Sequence, residues 1–347
     1  MRPATLKSDL GRYATANARV RTVLWRLLGR DGLEALYSYP SRGAMLEMLA
    51  RSPYGPGLLV YPGTDYGVGR RLIEIGATVL GFLSGAEAVF IHAFVLRSEL
   101  ENVKLVIRAV HRRRAWDEIA PYVQPLNGLA TLDLRGLAAA PDLRELTTRL
   151  EGTPYGRAAA AALHRVDTAG AFALETAVEL DYYERLWATA ARLQPADARR
   201  AHTLLGMLFD LLNLAWIARY RDALALSREE ILNYTLRQGR WVTAAVRTAL
   251  AESAPGGWAA LARTPYAAFF GAPAEDAADL AVVKLWRLIG IEVERGFRTY
   301  PFHIGVPLGV LLAQEIEIRD LRVLLAAKAL GLAPEAAFAR VATVRQV

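Results

Sequence analysis

Apolar positions recur at helical spacing along almost the whole chain, and a short polar signature recurs among them. Val89, Ala93, Leu96, Leu100, Val103, Ile107 and Val110 alternate at spacings of four and three, which keeps one narrow apolar seam along a helix. Ser84-Gly85-Ala86-Glu87 just ahead has the pattern of a capping box. Together they predict a single rod on the order of 40 Å long. Inside the seam stand Glu99, Asn102 and Val103: an acid, an amide three residues on, then an aliphatic, with Arg108 following. Asp210, Asn213 and Leu214, with Arg219 downstream, repeat the signature, and Glu317, Asp320 and Leu321 repeat it again. Leu204, Met207, Leu211, Leu214 and Ala218 supply the second seam; Leu311, Ile318, Leu321 and Leu325 supply the third, which Gln314 interrupts.

Asn102, Asn213 and Asp320 lie 111 and 107 residues apart. Nearly equal intervals predict three copies of one helical unit, with domains at 1–119, 120–228 and 229–347 and an all-α fold. Val20, Val23, Leu24, Leu27 and Leu28 form a further apolar face between Asn17 and a stop at Asp31-Gly32. Ser227-Arg228-Glu229-Glu230 is a second capping box, opening a helix that should end near Gly239. Breaks are expected at 53–69, 121–128, 152–156 and 254–257. Gly57-Leu58-Leu59-Val60-Tyr61 is the best strand-like run, and its flanking Pro56 and Pro62 argue against a strand.

Composition narrows the class. A chain of 347 residues, 53% hydrophobic, can bury a core without staples. Cysteine is absent, which removes disulfides and thiolate metal sites and suggests a reducing compartment. The first residues lack the apolar core of a secretory signal. The run from Thr299 to Gln314 has no charged residue but contains Pro301, His303, Gly305 and Pro307, so no segment reads as a bilayer span. Net charge is +7, and with lysine only at positions 7, 104, 284 and 328 the basic side is almost all arginine. The longest basic run, His111-Arg112-Arg113-Arg114, closes a helix, where cations offset the dipole.

Catalytic patterns are missing from the sequence. No two of His92, His111, His164, His202 and His303 have the spacing of a helical zinc pair. Residues 63–69 are glycine-rich but fit neither a Walker loop nor a dinucleotide fingerprint, and read as a turn. There is no G-x-S-x-G, no thiol nucleophile and no aspartate cluster for magnesium. Catalytic and metal-binding residues are therefore expected to be none, and cofactors none. The recurring acids are expected to hydrogen-bond a neighbouring helix or loop, because burial without a partner costs a few kcal/mol. Arg108 and Arg219 are expected to join them through charge-assisted bonds.

These segments resemble the C subunit of the prokaryotic V-type (A/V-type) ATPases, the family whose eukaryotic member is called the d subunit. Tyr13 to Arg21 resembles the family's opening Y-x-x-x-N-A-R-V-R. Glu99 to Lys104 resembles its acid-x-x-N-L-K, with Val103 for Leu. Leu180-Asp181-Tyr182-Tyr183 resembles the L-D-x-x-Y/Y-Y element. Asp210 to Leu214, ending at Arg219, fits D-x-x-N-L with its downstream Arg. Glu315, Glu317, Asp320 and Arg322 resemble the terminal K-E-x-E-x-x-N-L-R, with Gln314 for Lys and Asp320 for Asn. The likeness runs from about residue 11 to residue 335.

The resemblance implies a pseudo-threefold funnel of three homologous helical domains, present as a single copy in the rotor of a rotary ATPase. It implies a non-catalytic part that binds the proteolipid ring with one end and the central stalk with the other. Its place would be peripheral, on the cytoplasmic face of the membrane, passing torque for proton or sodium transport. The alternative class is a basic helical-repeat nucleic-acid binder, motivated by charge alone. The arginines are spread out and often alternate with acids, whereas nucleic-acid recognition asks for clustered cations and stacking aromatics, so nucleic acid is not an expected partner.

Overall fold

The computed structural model describes residues 3–60, 66–129, 132–254, 257–270 and 278–343, and every regular element among them is helical. The elements that position the sites are α1 (Pro3–Leu24), α2 (Gly29–Tyr37), α3 (Arg42–Ala50), α4 (Arg70–Leu80) and α5 (Gly85–Val95). They continue with α6 (Arg97–His111), α7 (Ala171–Ala190), α8 (Pro195–Ala218), α9 (Ala278–Arg298) and α10 (Gly305–Ala329). The all-α fold read from the periodicity is what the described residues show. By compactness the chain divides into two units, 1–88 together with 190–347, and 89–189. This is a division of packing, and it says nothing of homology between thirds.

In the first unit α10 is the hub. Val306, Leu308, Val310, Leu311, Leu312, Ile316, Ile318, Leu321, Leu324 and Leu325 are all buried, so the helix is apolar on every side. Such a helix must be covered all round, and α1, α2, α3, α4, α8 and α9 all pack on it. Leu33, Met45, Leu49 and Val68 from the chain's beginning share one core with Leu321, Leu324, Leu325 and Val341 near its end. In the second unit α6 is the corresponding buried helix, contributing Leu100, Val103, Val106, Ile107 and Val110.

Several sequence expectations change. The predicted long rod is two helices, α5 and α6, parted at Leu96, and Val89 at the head of the seam is half exposed. Glu87 pairs with Arg12 at 2.7 Å. Asp31-Gly32 is no stop but lies inside α2. The Ser227 capping box is present, yet its helix ends at Asn233, well short of Gly239. The run 57–60 belongs to a short helix, Gly55–Val60, and Tyr61 lies outside the described residues. Of the glycine-rich stretch, 66–69 is a 3-10 turn, and 63–65 lie outside the described residues.

The expectation that no segment suits a bilayer also needs a correction. Residues Pro195–Ala223 are long and apolar enough to cross one by length and composition, with mean hydropathy 1.4. The apolar stretch is 67% buried inside the fold, which is the environment of a core helix.

Two backbones cross at Gly57 and Gly67. A Cβ on Gly57 would sit 2.0 Å from the Gly67 carbonyl oxygen, and one on Gly67 would sit 2.5 Å from that of Gly57. Gly57→Ala is expected to lower stability by about 1–3 kcal/mol through this clash. Gly11, with nothing near its absent Cβ in α1, is the contrast: Gly11→Ala should raise stability by roughly 0.5–1 kcal/mol. Thermal denaturation of the two variants checks both signs.

Candidate functional site: three buried carboxylate nodes

The three recurring acids are all buried, and each meets a buried tyrosine. Glu99 Oε2 accepts from the Tyr155 hydroxyl at 3.3 Å, Asp210 Oδ2 from Tyr266 at 2.7 Å, and Glu317 Oε1 from Tyr54 at 2.5 Å. In the first two nodes the tyrosine stands 56 residues after the acid. In the third it precedes the acid by 263, so this node joins the two ends of the chain.

Each tyrosine is held by the same turn. Ser52-Pro53-Tyr54, Thr153-Pro154-Tyr155 and Thr264-Pro265-Tyr266 share one sequence pattern. The hydroxyls of Ser52, Thr153 and Thr264 donate to the carbonyls of Leu49, Leu150 and Leu261 at 2.6, 2.6 and 2.7 Å. Each hydroxyl then accepts from its tyrosine's amide at 3.2 Å. A hydroxyl that caps a carbonyl behind it and an amide ahead forms a local turn without help from the fold. The proline fixes the dihedral between the two bonds. The tyrosine ring is thereby aimed inward in every copy.

The residue three positions after each acid does a second job. Asn102 accepts from the Gln124 amide at 2.8 Å and donates to its carbonyl at 2.9 Å, 22 residues away. Asn213 does the same to Leu236, accepting at 2.7 Å and donating at 3.0 Å, 23 residues away. A side-chain amide pairs with a backbone amide as one strand pairs with another, and both loop groups are satisfied inside the core. Asp320 cannot donate, and its partners differ accordingly. It accepts from the Ala342 and Thr343 amides at 2.9 and 2.7 Å, from the Thr343 hydroxyl at 2.7 Å, and from Arg319 at 2.8 Å. The loop it holds again lies 22 residues on.

The carboxylates also gather backbone amides. Asp210 accepts from three in succession, Arg240, Trp241 and Val242, at 3.0, 2.8 and 3.1 Å. Gly239 makes this possible, since a Cβ there would lie 2.3 Å from Asp210 Oδ1. Glu317 Oε2 accepts from Leu28 and Gly29 at 2.7 and 3.3 Å, and Gln314 donates to the Tyr54 hydroxyl at 2.7 Å. Burial is the largest influence on both acids and outweighs these donors. It raises Asp210 to about 6 and Glu317 to about 7. The tyrosine hydroxyls are pushed up as well, by burial first and by the adjacent carboxylate second.

Of the two arginines expected here, Arg108 pairs elsewhere and Arg219 is exposed. Arg108 pairs with Glu175 at 2.6 Å, beside a Lys104 pairing with Glu179 at 2.7 Å, so these two cations tie α6 to α7. Arg219 is exposed, and none of the bonds to Asp210 comes from it. Glu315 is half-buried, within the same helical turn as the buried Gln314 and Glu317. Among the described residues no group of histidine and acids has the arrangement of a metal site.

The opening motif has its own anchor. Tyr13 donates to Asp197 Oδ2 at 2.6 Å, Asp197 Oδ1 accepts from the Ile304 amide at 3.1 Å, and Asn17 donates to the Pro301 carbonyl at 2.5 Å. One face of α1 is thus fixed to the first turn of α8 and to the loop before α10. Sequence reasoning missed this link and the tyrosines of the nodes. The latter carried a signal, the thrice-repeated Ser/Thr-Pro-Tyr triplet.

Tyr54→Phe, Tyr155→Phe and Tyr266→Phe each leave a buried carboxylate short of one donor. Each is expected to cost about 1–3 kcal/mol by chemical denaturation, with Tyr155→Phe mildest because its bond is longest. The pH dependence has a definite sign. Asp210 and Glu317 hold a proton more tightly folded than unfolded. Their contribution to stability is therefore full below about pH 4 and is lost as pH rises to about 6 and about 7 respectively. Unfolding free energies at pH 5 and pH 8 should differ less in Glu317→Gln than in the wild type, because the variant cannot titrate.

The comparisons with known proteins agree on one family. The family model described as ATP synthase (C/AC39) subunit matches residues 16–338. The C subunit of the A-type ATP synthase of Methanothermobacter thermautotrophicus is 26% identical over 329 residues, covering 92% of this chain and 85% of that protein. Its counterpart in Methanocaldococcus jannaschii is 22% identical over 344 residues, covering 94% and 85%. The C subunit of the V-type ATP synthase of Deinococcus radiodurans is 25% identical over 181 residues, about half of each chain. The recurring acids, the amide positions and the Ser/Thr-Pro-Tyr turns all fall within the matched span, and the chain belongs to the ATP synthase C/AC39 subunit family.

Proposed function

We propose that this chain is a non-catalytic rotor subunit of an A/V-type ATP synthase or ATPase. In this reading it joins the central stalk to the proteolipid ring on the cytoplasmic face of the membrane and passes torque for proton or sodium transport. It is present once per complex and is peripheral to the bilayer. Its body is three homologous helical units about a pseudo-threefold axis, the third assembled from both ends of the chain.

The observation that carries this reading is the threefold recurrence of one buried node within a chain of that family. A part that transmits torque must resist deformation, and close-packed helices do so because their interiors have low compressibility. The nodes add directional restraint, since a loop or turn that slides away from a buried carboxylate leaves it unpaired at a cost of several kcal/mol. The arginines fit this use better than nucleic-acid binding. Many are spent on nearby acids, as in Arg30–Glu34, Arg70–Glu74, Arg149–Glu145 and Arg185–Asp181.

The test is reconstitution of the membrane complex with and without this chain. With it, ATP hydrolysis should drive ion uptake into vesicles. Without it, the nucleotide-binding head should still hydrolyse ATP while uptake falls to background. Uptake that persists in its absence, or a complex that purifies without retaining the tagged chain, overturns the reading.

A further inference from the structure

A cleft of about 360 Å³ opens between the start of α8, the end of α9 and the loop leading into α10. Arg199, Arg200 and Thr203 line it from α8, Glu292 and Arg295 from α9, and His303 from the loop. Arg295 is already paired with Glu292 at 2.8 Å, which leaves the exposed guanidiniums of Arg199 and Arg200 as its uncompensated charge. Beneath them the His303 side chain is 3% exposed, and neither ring nitrogen makes a hydrogen bond of normal geometry among the described residues. Buried polar atoms are ordinarily satisfied, so a ring whose nitrogens make no well-formed bond, in the wall of a basic cleft, marks a place for a further partner.

The side chains around it do not provide that partner. Asp197, the nearest acid, is committed to Tyr13 and to the Ile304 amide. Thr299, also in the wall, donates its hydroxyl to the Gly296 carbonyl. Gly305 keeps the ring where it is, because a Cβ there would lie 2.9 Å from His303 Nδ1 and 3.8 Å from Arg200 Cδ. Burial first, then the charge of Arg200, lowers His303 to about 4, so the imidazole is neutral and carries one N–H, for which the Tyr300 backbone is the competing acceptor.

We propose that this cleft binds a phosphate group, held by Arg199 and Arg200 with Thr203 and His303 as further donors. Two free guanidiniums match a group that carries roughly −1.5 to −2 charges at neutral pH. A carboxylate brings a single negative charge and two coplanar oxygens, so it leaves the second guanidinium uncompensated. The cleft has room for inorganic phosphate or for the terminal phosphates of a nucleotide. The inference rests on the cleft alone and stands whether or not the chain is a rotor part.

The test uses the full chain in chloride buffer at constant ionic strength. Inorganic phosphate, ADP and acetate are titrated separately by calorimetry, and the His303 ring signal is followed by ¹H–¹⁵N spectroscopy. Phosphate or ADP should bind at one site and shift that signal, while acetate should do neither. ADP binding the more tightly identifies a phosphate ester as the ligand, and inorganic phosphate binding at least as tightly identifies the free ion. The double variant Arg199→Ala/Arg200→Ala, altered only at exposed side chains, should weaken binding at least tenfold with its circular dichroism unchanged. Equal responses to phosphate and acetate, or full affinity in that variant, overturn the proposal.

Discussion

A carboxylate taken out of water must be met by donors, and that requirement organises this molecule. Helix periodicity alone leaves the register of α6, α8 and α10 against their neighbours loosely specified, because the hydrophobic effect is non-directional. A buried Asp or Glu removes that freedom. Asp210 fixes three consecutive loop amides and a tyrosine at once, and Glu317 fixes the link between α1 and α2 together with the turn after α3. Each acid therefore turns a greasy contact into a register.

The amide position three residues on extends the same logic to a second loop. From one helical turn, the acid reaches a turn-borne tyrosine and the amide reaches a segment 22 or 23 residues downstream. Two short side chains thus hold two connections that have no regular structure of their own. Where the third copy has Asp320, the chain offers the acid only donors: two amides, a hydroxyl and Arg319. The chemistry of the side chain dictates what the loop must present, and the loop has changed with it. Gln314 is a related case. It stands where the family pattern has Lys and supplies a neutral donor to Tyr54, so Glu317 receives no positive charge from that position.

Much of this was legible in the sequence, for reasons that can be named. Spacings of three and four identified α6, α8 and α10 because their buried faces are wide and their interiors free of proline until the first turn of α10. The polar signature stood out because acids rarely sit inside such seams. The break at Leu96 was invisible, since leucine there satisfies a continuous helix as well as an interrupted one. The tyrosine partners of Glu99, Asp210 and Glu317 were missed because they come from turns 56 or 263 residues away, and only the repeated Ser/Thr-Pro-Tyr triplet marks them in the sequence. Arg108 misled for a different reason. Its spacing along α6 suits the node, but Glu175 on α7 is close enough to take it.

The third node has a consequence for how the polypeptide comes into being. Tyr54 leaves the ribosome long before Glu317 exists, and the donors at Leu28 and Gly29 wait with it. Until α10 is made, the first segments lack the acid that completes them and the surface that covers Leu33, Met45 and Leu49. Contacts so far apart in sequence are slow to close and leave sticky surface open meanwhile. A chain translated only as far as residue 300 is therefore still missing the acid and the covering helix that complete its first segments.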